Sequence, residues 1–138
     1  HYSSARTNAR TPRDLVGSDA LVQKVLDLVE QLGCLYLMEN PHSGLLKTRP
    51  VVQGIRHVVL DYCRFGTPYR KRTAIWTNSD YEPGRPLCNK DCASSDGRRH
   101  ARRAQRAGAG WHHTLAELYA IPGGLCDEIA EWAERLRD

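Results

Sequence analysis

The run Cys34-Leu35-Tyr36-Leu37-Met38-Glu39-Asn40-Pro41 constrains this chain more than any other stretch. Leu35 to Met38 are largely apolar and are bounded by Gly33 and Pro41. That pattern predicts a short strand buried on both faces, as in the middle of an α/β sheet. The strand ends in an acid. Glu39 and Asn40 fall where a parallel sheet presents its carboxyl edge, and open α/β folds bind their ligands at that edge. A carboxylate leaving a dry strand for a cleft is placed to hand over a proton. The competing reading is that Glu39 caps the next turn.

Residues 1–18 are small and polar and predict a loop. Ser18 or Asp19 can cap a helix, and Leu21, Val22, Val25, Leu26, Leu28, Val29 and Leu32 keep a helical spacing up to Gly33, a stop signal. Loop, helix, glycine and buried strand make half of a βαβ unit. The sole methionine, Met38, lies inside the chain, so the sequence is expected to be a piece of something longer. Its 138 residues suffice for one domain with a core. No apolar run approaches the ~20 residues that span a bilayer, so no membrane is expected. Five cysteines, an odd and scattered number, do not resemble a secreted disulfide framework, and an intracellular, reducing setting is expected.

Beyond Pro41, residues 42–50 predict a loop or short helix, and 53–60 fit helix or strand. Asp61 to Gly66 alternates like a strand, Thr67-Pro68 turns the chain, and Thr73 to Asn78 reads as a second strand, together an antiparallel hairpin. From Ser79 to Gly110 the composition shifts to Asp, Gly, Pro, Cys and Arg without a period, which predicts an irregular insertion. Trp111 to Tyr119 carries a weak helical signal, and Leu125, Ile129, Trp132 and Leu136 line one side of a terminal helix. The expected organisation is thus a core over 1–78, an insertion over 79–110 and a helical segment over 111–138.

Net charge is only +4, but its distribution is uneven. Residues 98–106 hold five arginines, and Arg70, Lys71 and Arg72 stand in the hairpin turn. Clustered arginine of this kind suits phosphate backbones or, alternatively, a solvated face. Cys88-Asn89-Lys90-Asp91-Cys92 has a spacing that lets two sulfurs reach one zinc ion. Two further ligands are available among His100, His112, His113 and Cys63, with Cys63 and His112 taken to complete the set. Free surface thiols are the alternative. Cys34 and Cys126 fall on apolar faces and are expected in the core. His57 has no evident partner; Trp76, Trp111 and Trp132 are expected to pack, although Trp111 could stack on a base.

Four segments in sequence resemble the second half of a cytosine-5 DNA methyltransferase, in particular the divergent group of phages, large DNA viruses and algae. His1-Tyr2-Ser3-Ser4-Ala5-Arg6 looks like the loop after the Pro-Cys catalytic motif, and Leu37-Met38-Glu39-Asn40-Pro41 like the strand ending in Glu-Asn-Val. Tyr62 to Trp76 looks like the Tyr-Gly-Val-Pro-Gln hairpin with its trailing arginines, and Tyr119-Ala120-Ile121-Pro122 through Ile129 like the closing segment. The resemblance implies a partial Rossmann-like sheet of the S-adenosylmethionine-dependent type, carrying a basic insertion and a C-terminal helix. It implies DNA as partner, together with a missing N-terminal part of the same protein.

In that family a cysteine adds to C6 of a flipped cytosine, a glutamate holds and protonates N3, and C5 takes a methyl group from S-adenosylmethionine. Glu39 matches the glutamate, and Asn40 the asparagine that braces the loop. Ser3, Arg6, Arg70, Lys71, Arg72, Arg98, Arg99, Arg102 and Arg103 would contact DNA. Tyr69 stands where glutamine is usual; strict alignment puts Lys71 and Thr73 at the two arginine positions, and a one-residue shift puts Arg70 and Arg72 there. None of the five cysteines occupies the catalytic loop, and the cofactor-binding residues remain unknown. The rival readings are a non-catalytic DNA-binding module and a small zinc-binding interaction domain. Isolated, these 138 residues are expected to give no turnover in a radiolabelled methyl-transfer assay.

Overall fold

The helical period ahead of Gly33 forms as the sequence predicts, starting one turn earlier. The computed structural model describes residue 2, residues 12–104 and residues 114–137, and its first helix, α1, spans Leu15–Leu32. Its N-cap is Asp14, whose carboxylate accepts the Gly17 N–H at 2.7 Å. Ser18 is already inside the helix and donates its hydroxyl to the Asp14 carbonyl. Gly33 closes the helix at φ 61°, a left-handed conformation that glycine adopts without a Cβ penalty.

One side of α1 packs and the other does not. Val22 joins a buried cluster of Tyr2, Leu46, Val52, Ala74 and Trp76, with Leu15 and Leu26 half-buried against it. Leu21, Val25, Leu28 and Leu32 form a second apolar stripe, and all four are exposed.

Three strands make one sheet: β1 (Leu37–Pro41), β2 (His57–Asp61) and β3 (Arg72–Thr77), in the order β1-β3-β2. β1 runs antiparallel to β3, from Leu37 opposite Thr77 to Pro41 opposite Thr73. On the other flank Thr77 donates to the Arg56 carbonyl and Tyr62 to the Lys71 carbonyl, so partners advance in opposite directions and this pair is antiparallel too. β1 and β2 therefore run parallel to each other with β3 reversed between them.

This corrects the expectation for the opening strand. β1 is not a doubly buried strand within a parallel sheet. It lies at the edge, is half-buried, and turns Glu39 outward. Pro41, which has no N–H, is tolerated on an edge strand. Leu35 stays exposed, and the Tyr36 N–H is taken by the Asn78 side chain rather than by a neighbouring strand. The central strand is β3, where Thr73 to Thr77 are all buried. His57, which had no evident partner, lies against Trp76 with ring centroids 5.3 Å apart.

The hairpin is also displaced. Its first arm is His57–Asp61, and Tyr62–Phe65 is a 3-10 turn that ends at Gly66 with φ 102°. Tyr62, Cys63 and Phe65 are buried together, a spacing that suits a tight turn and defeats strand alternation.

The chain divides into two compact units, residues 1–59 with 73–82 and residues 60–72 with 83–138. In the second, Thr114 and Glu117 form a capping box on α2 (Leu115–Tyr119). α3 spans Gly123–Arg135 and buries Leu125. Gly124 lies so close to the turn that a Cβ there would come within 3.1 Å of the Phe65 carbonyl oxygen. Leu136 is exposed, and so are Cys34 and Cys126, which were expected in the core. Residues 79–104 contain no helix or named strand, yet Tyr81, Cys88 and Cys92 within them are buried.

Leu46 is 1% exposed in the cluster under α1. Leu46→Ala is expected to cost about 2–5 kcal/mol, read as a lower urea midpoint with an unchanged slope.

Candidate metal centre

Three local structures bring four ligating side chains of the second unit together. The turn Tyr62–Phe65 buries Cys63. The loop from Cys88 to Cys92 reverses through Lys90 at φ 63°, which is uncommon for a residue other than glycine, and the Asn89 N–H closes it on the Asp91 carboxylate at 3.0 Å. A small antiparallel turn, with Ser95 bridged to His100 and Gly97 at φ 86°, presents His100. The sulfurs of Cys63, Cys88 and Cys92 and a ring nitrogen of His100 all lie within 4.8 Å of one another. Cys88 Sγ is 3.4 Å from His100 Nε2.

The surroundings fix these groups from behind. Arg64 donates to the Leu87 carbonyl at 3.1 Å and to Asp91 at 2.6 Å, clamping the Cys88 loop. Ser94 donates its hydroxyl to the Thr67 carbonyl and lies 3.3 Å from Cys92 Sγ. Asp61 is 1% exposed and takes two hydrogen bonds from Arg72, at 3.0 and 2.8 Å, and one from the Cys88 N–H at 2.9 Å. Burial alone would push this carboxyl up; Arg72 and the Cys88 N–H outweigh it and hold the group ionised below its usual range.

The thiols divide by environment. Burial, together with the neighbouring sulfurs of Cys88 and Cys92, pushes the Cys63 thiol well up. Burial opposes ionisation at Cys92 as well, but its hydrogen bonding with Ser94 and the adjoining thiols brings it below its ordinary value. Burial and then the charge of Arg70 lower His100, which favours the neutral imidazole that ligates metals. Three sulfurs and one imidazole nitrogen converging on a point can hold a metal ion.

The metal set differs from the expected one in a single member. His112 lies outside the described residues, and His100, available on sequence grounds, occupies the fourth position. Comparison with known proteins finds no matching family, no matching curated protein and no matching solved structure.

The basic side chains fall into two groups. Arg72 is committed to Asp61, and Lys71 lies 4.8 Å from the Tyr62 ring centroid with its amine 3.4 Å from the Leu118 carbonyl. Arg70, Arg98, Arg102 and Arg103 are exposed, and Arg99 approaches Asp96 only at 4.0 Å. Ser3 and Arg6 lie outside the described residues.

In the first unit, Glu39 and Asn40 lead into a turn that closes on Tyr2. The Leu45 N–H donates to the Tyr2 carbonyl at 2.8 Å. A Cβ on Gly44 would come within 2.9 Å of Asn40 Oδ1 and 3.1 Å of the Tyr2 carbonyl, so glycine permits this close approach. The Tyr2 hydroxyl donates to Asp19 at 2.8 Å, and Arg49 grips the same carboxylate through Nε and Nη2.

Arg49, and then Tyr2, hold the Asp19 carboxyl below its usual value. A depressed carboxylate stabilises the fold fully above its unfolded value of ~3.9, and loses that effect as pH falls through its folded value. Asp19→Asn is therefore expected to lower the melting temperature at pH 7. The gap to the parent should close in acid, as pH falls below the ordinary carboxylate range and through the lowered value of Asp19.

Proposed function

We propose that this chain is the base-recognising portion of a cytosine-5 DNA methyltransferase, with a structural zinc ion organising its irregular region. The zinc reading is carried by one observation, the convergence of Cys63, Cys88, Cys92 and His100 within 4.8 Å. A tetrahedral zinc with sulfur ligands at about 2.3 Å sets its sulfurs about 3.8 Å apart, so a small contraction closes the set. Soft thiolates with one imidazole suit zinc over the hard divalent cations. Four protein ligands leave no open position, which is the mark of a structural and not a catalytic ion. The residues around it fit that role: three thiolates on a dication leave one negative charge, and Arg64 and Arg72 stand close enough to interact with Cys63 and Cys88.

The methyltransferase reading rests on the four resembling segments, and one structural observation supports it. The turn after Glu39 and Asn40 holds Tyr2, so the segment likened to the catalytic loop begins beside the residues likened to the Glu-Asn pair. Asn40 Oδ1 is buried beside that turn with no hydrogen-bond partner among the described residues, as a brace for an adjoining loop would be. Glu39, exposed on that edge strand, would hold cytosine N3 and donate a proton to it. S-adenosylmethionine would supply the methyl group, bound by residues outside the resembling segments.

Purified chain is expected to carry one equivalent of zinc, with Cys88→Ser and His100→Ala each losing most of it and a large part of their thermal stability. Full thermal stability in the presence of a strong chelator would count against the zinc. In a complete parent enzyme Glu39→Gln is expected to lower methyl transfer at least a hundredfold. Parental activity in that variant would return Glu39 to an ordinary surface position.

A further inference from the structure

Some arginines near the cysteine cluster have structural work; others do not. Arg64 is tied to Asp91, Arg72 to Asp61, and the short contact of Arg85 with the Arg64 carbonyl commits a third. Asp61 and Asp91 are taken by these pairs, and Asp96 accepts the backbone N–H groups of Arg98 and Arg99. What is left without an ion pair among the described residues is Arg70, Lys90, Arg98, Arg102 and Arg103, and all five are exposed.

These five are held by the segments that carry the metal ligands. Lys90 is the reversal point between Cys88 and Cys92. Arg98 belongs to the turn that presents His100. Arg102 donates its N–H to the Pro68 carbonyl and bridges Tyr69, which sets it and Arg103 beside Arg70. Arg70 and Lys90 both lie near enough to His100 for their charges to act on it.

From this arrangement we infer that the metal centre assembles a phosphate-gripping face, Arg70, Lys90, Arg98, Arg102 and Arg103, whose ligand is a nucleic-acid backbone. The inference rests on the zinc reading and extends it, because the ion's role becomes the fixing of cations as well as the fixing of a fold. Four of the five groups are guanidinium forks, which match phosphate oxygens two at a time. The backbones of Arg98 and Arg102 are hydrogen-bonded in place, and Lys90 sits in the loop that Asn89 closes on Asp91. A membrane surface fits less well. Lasting attachment there needs an apolar anchor beside the basic residues, and Leu87 is the only large hydrophobic exposed among residues 83–104.

The test is fluorescence anisotropy of the zinc-loaded full chain with a short labelled DNA duplex over a salt series, alongside zinc content. The expected result is binding that weakens steeply with salt. The triple variant Arg70→Ala/Arg102→Ala/Arg103→Ala should bind at least tenfold more weakly at low salt, with a slope shallower by about 2–3, near 0.9 per phosphate contact removed, and with unchanged zinc. Unchanged zinc also reports that the variant is folded; Arg102→Glu serves as a second, charge-reversed variant with the same expectation. Removing the metal should weaken binding and re-adding zinc should restore it. Three results overturn the inference: a triple variant that binds like the parent, a metal-free chain that binds as tightly as the loaded one, or phosphatidylserine vesicles bound with this arginine dependence while the duplex is not. Normal zinc uptake with arginine variants that bind like the parent defeats this inference alone, whereas a chain that takes up no zinc defeats the metal reading beneath it.

Discussion

The buried carboxylate of Asp61 is the interaction on which the second unit depends. It sits at the end of β2, almost wholly removed from water, with hydrogen bonds from the Arg72 guanidinium and the Cys88 backbone. A buried carboxylate is tolerated only when its lone pairs are used and its charge is matched, and here both conditions are met by residues distant in sequence. One side chain thereby fixes the start of β3 and the start of the Cys88 loop. The order is physical: β2 places Asp61, Asp61 places Cys88, and Cys88 then stands beside Cys63 on the following turn. The cluster is a consequence of the strand ending where it does.

The first unit is organised by apolar burial instead, and it is asymmetric. β3 is buried along its length from Thr73 to Thr77, whereas β1 is half-buried and α1 covers the core with only one of its two apolar stripes. Leu21, Val25, Leu28 and Leu32 recur every three or four residues on the outward face. Such a stripe normally packs, and an edge strand normally pairs or is guarded by charge. Glu39, pointing outward from β1, supplies some of that charge.

Much of this was legible in the residues, and the misses have physical causes. Gly33 and the helical period announced α1, and Leu125 announced the terminal helix, because these signals are local. The position of β1 in its sheet was not legible: an apolar run of four residues reads alike for a central and an edge strand, and only pairing with β3 decides. Tyr62 to Phe65 imitated strand alternation, but Gly66 accommodates a left-handed turn there and the buried set closed on itself. The cysteine pair was visible from its spacing. Its partners were not fixed by spacing, since Cys63 comes from another segment and His100 is one histidine among several. Asp61 carried no sequence signal beyond being an acid at a strand end, and it escaped notice. The distinction between committed and uncommitted arginines likewise exists only in three dimensions.

The ligand spacing also bears on how the chain reaches its fold. Cys88 and Cys92 are close in sequence and can meet on one ion at little entropic cost, whereas Cys63 and His100 must be brought in by closing much longer loops. An ion captured early by the local pair would thus be held weakly and exchange with solvent until β2, its turn and the Ser95–His100 turn arrive. In the proposed zinc-bound form, full coordination would come only once long-range order is complete. Molecules of that form with only two sulfurs engaged would remain open to losing the ion and trying again, so the metal would act as a selector among partly folded forms as much as a brace for the finished one.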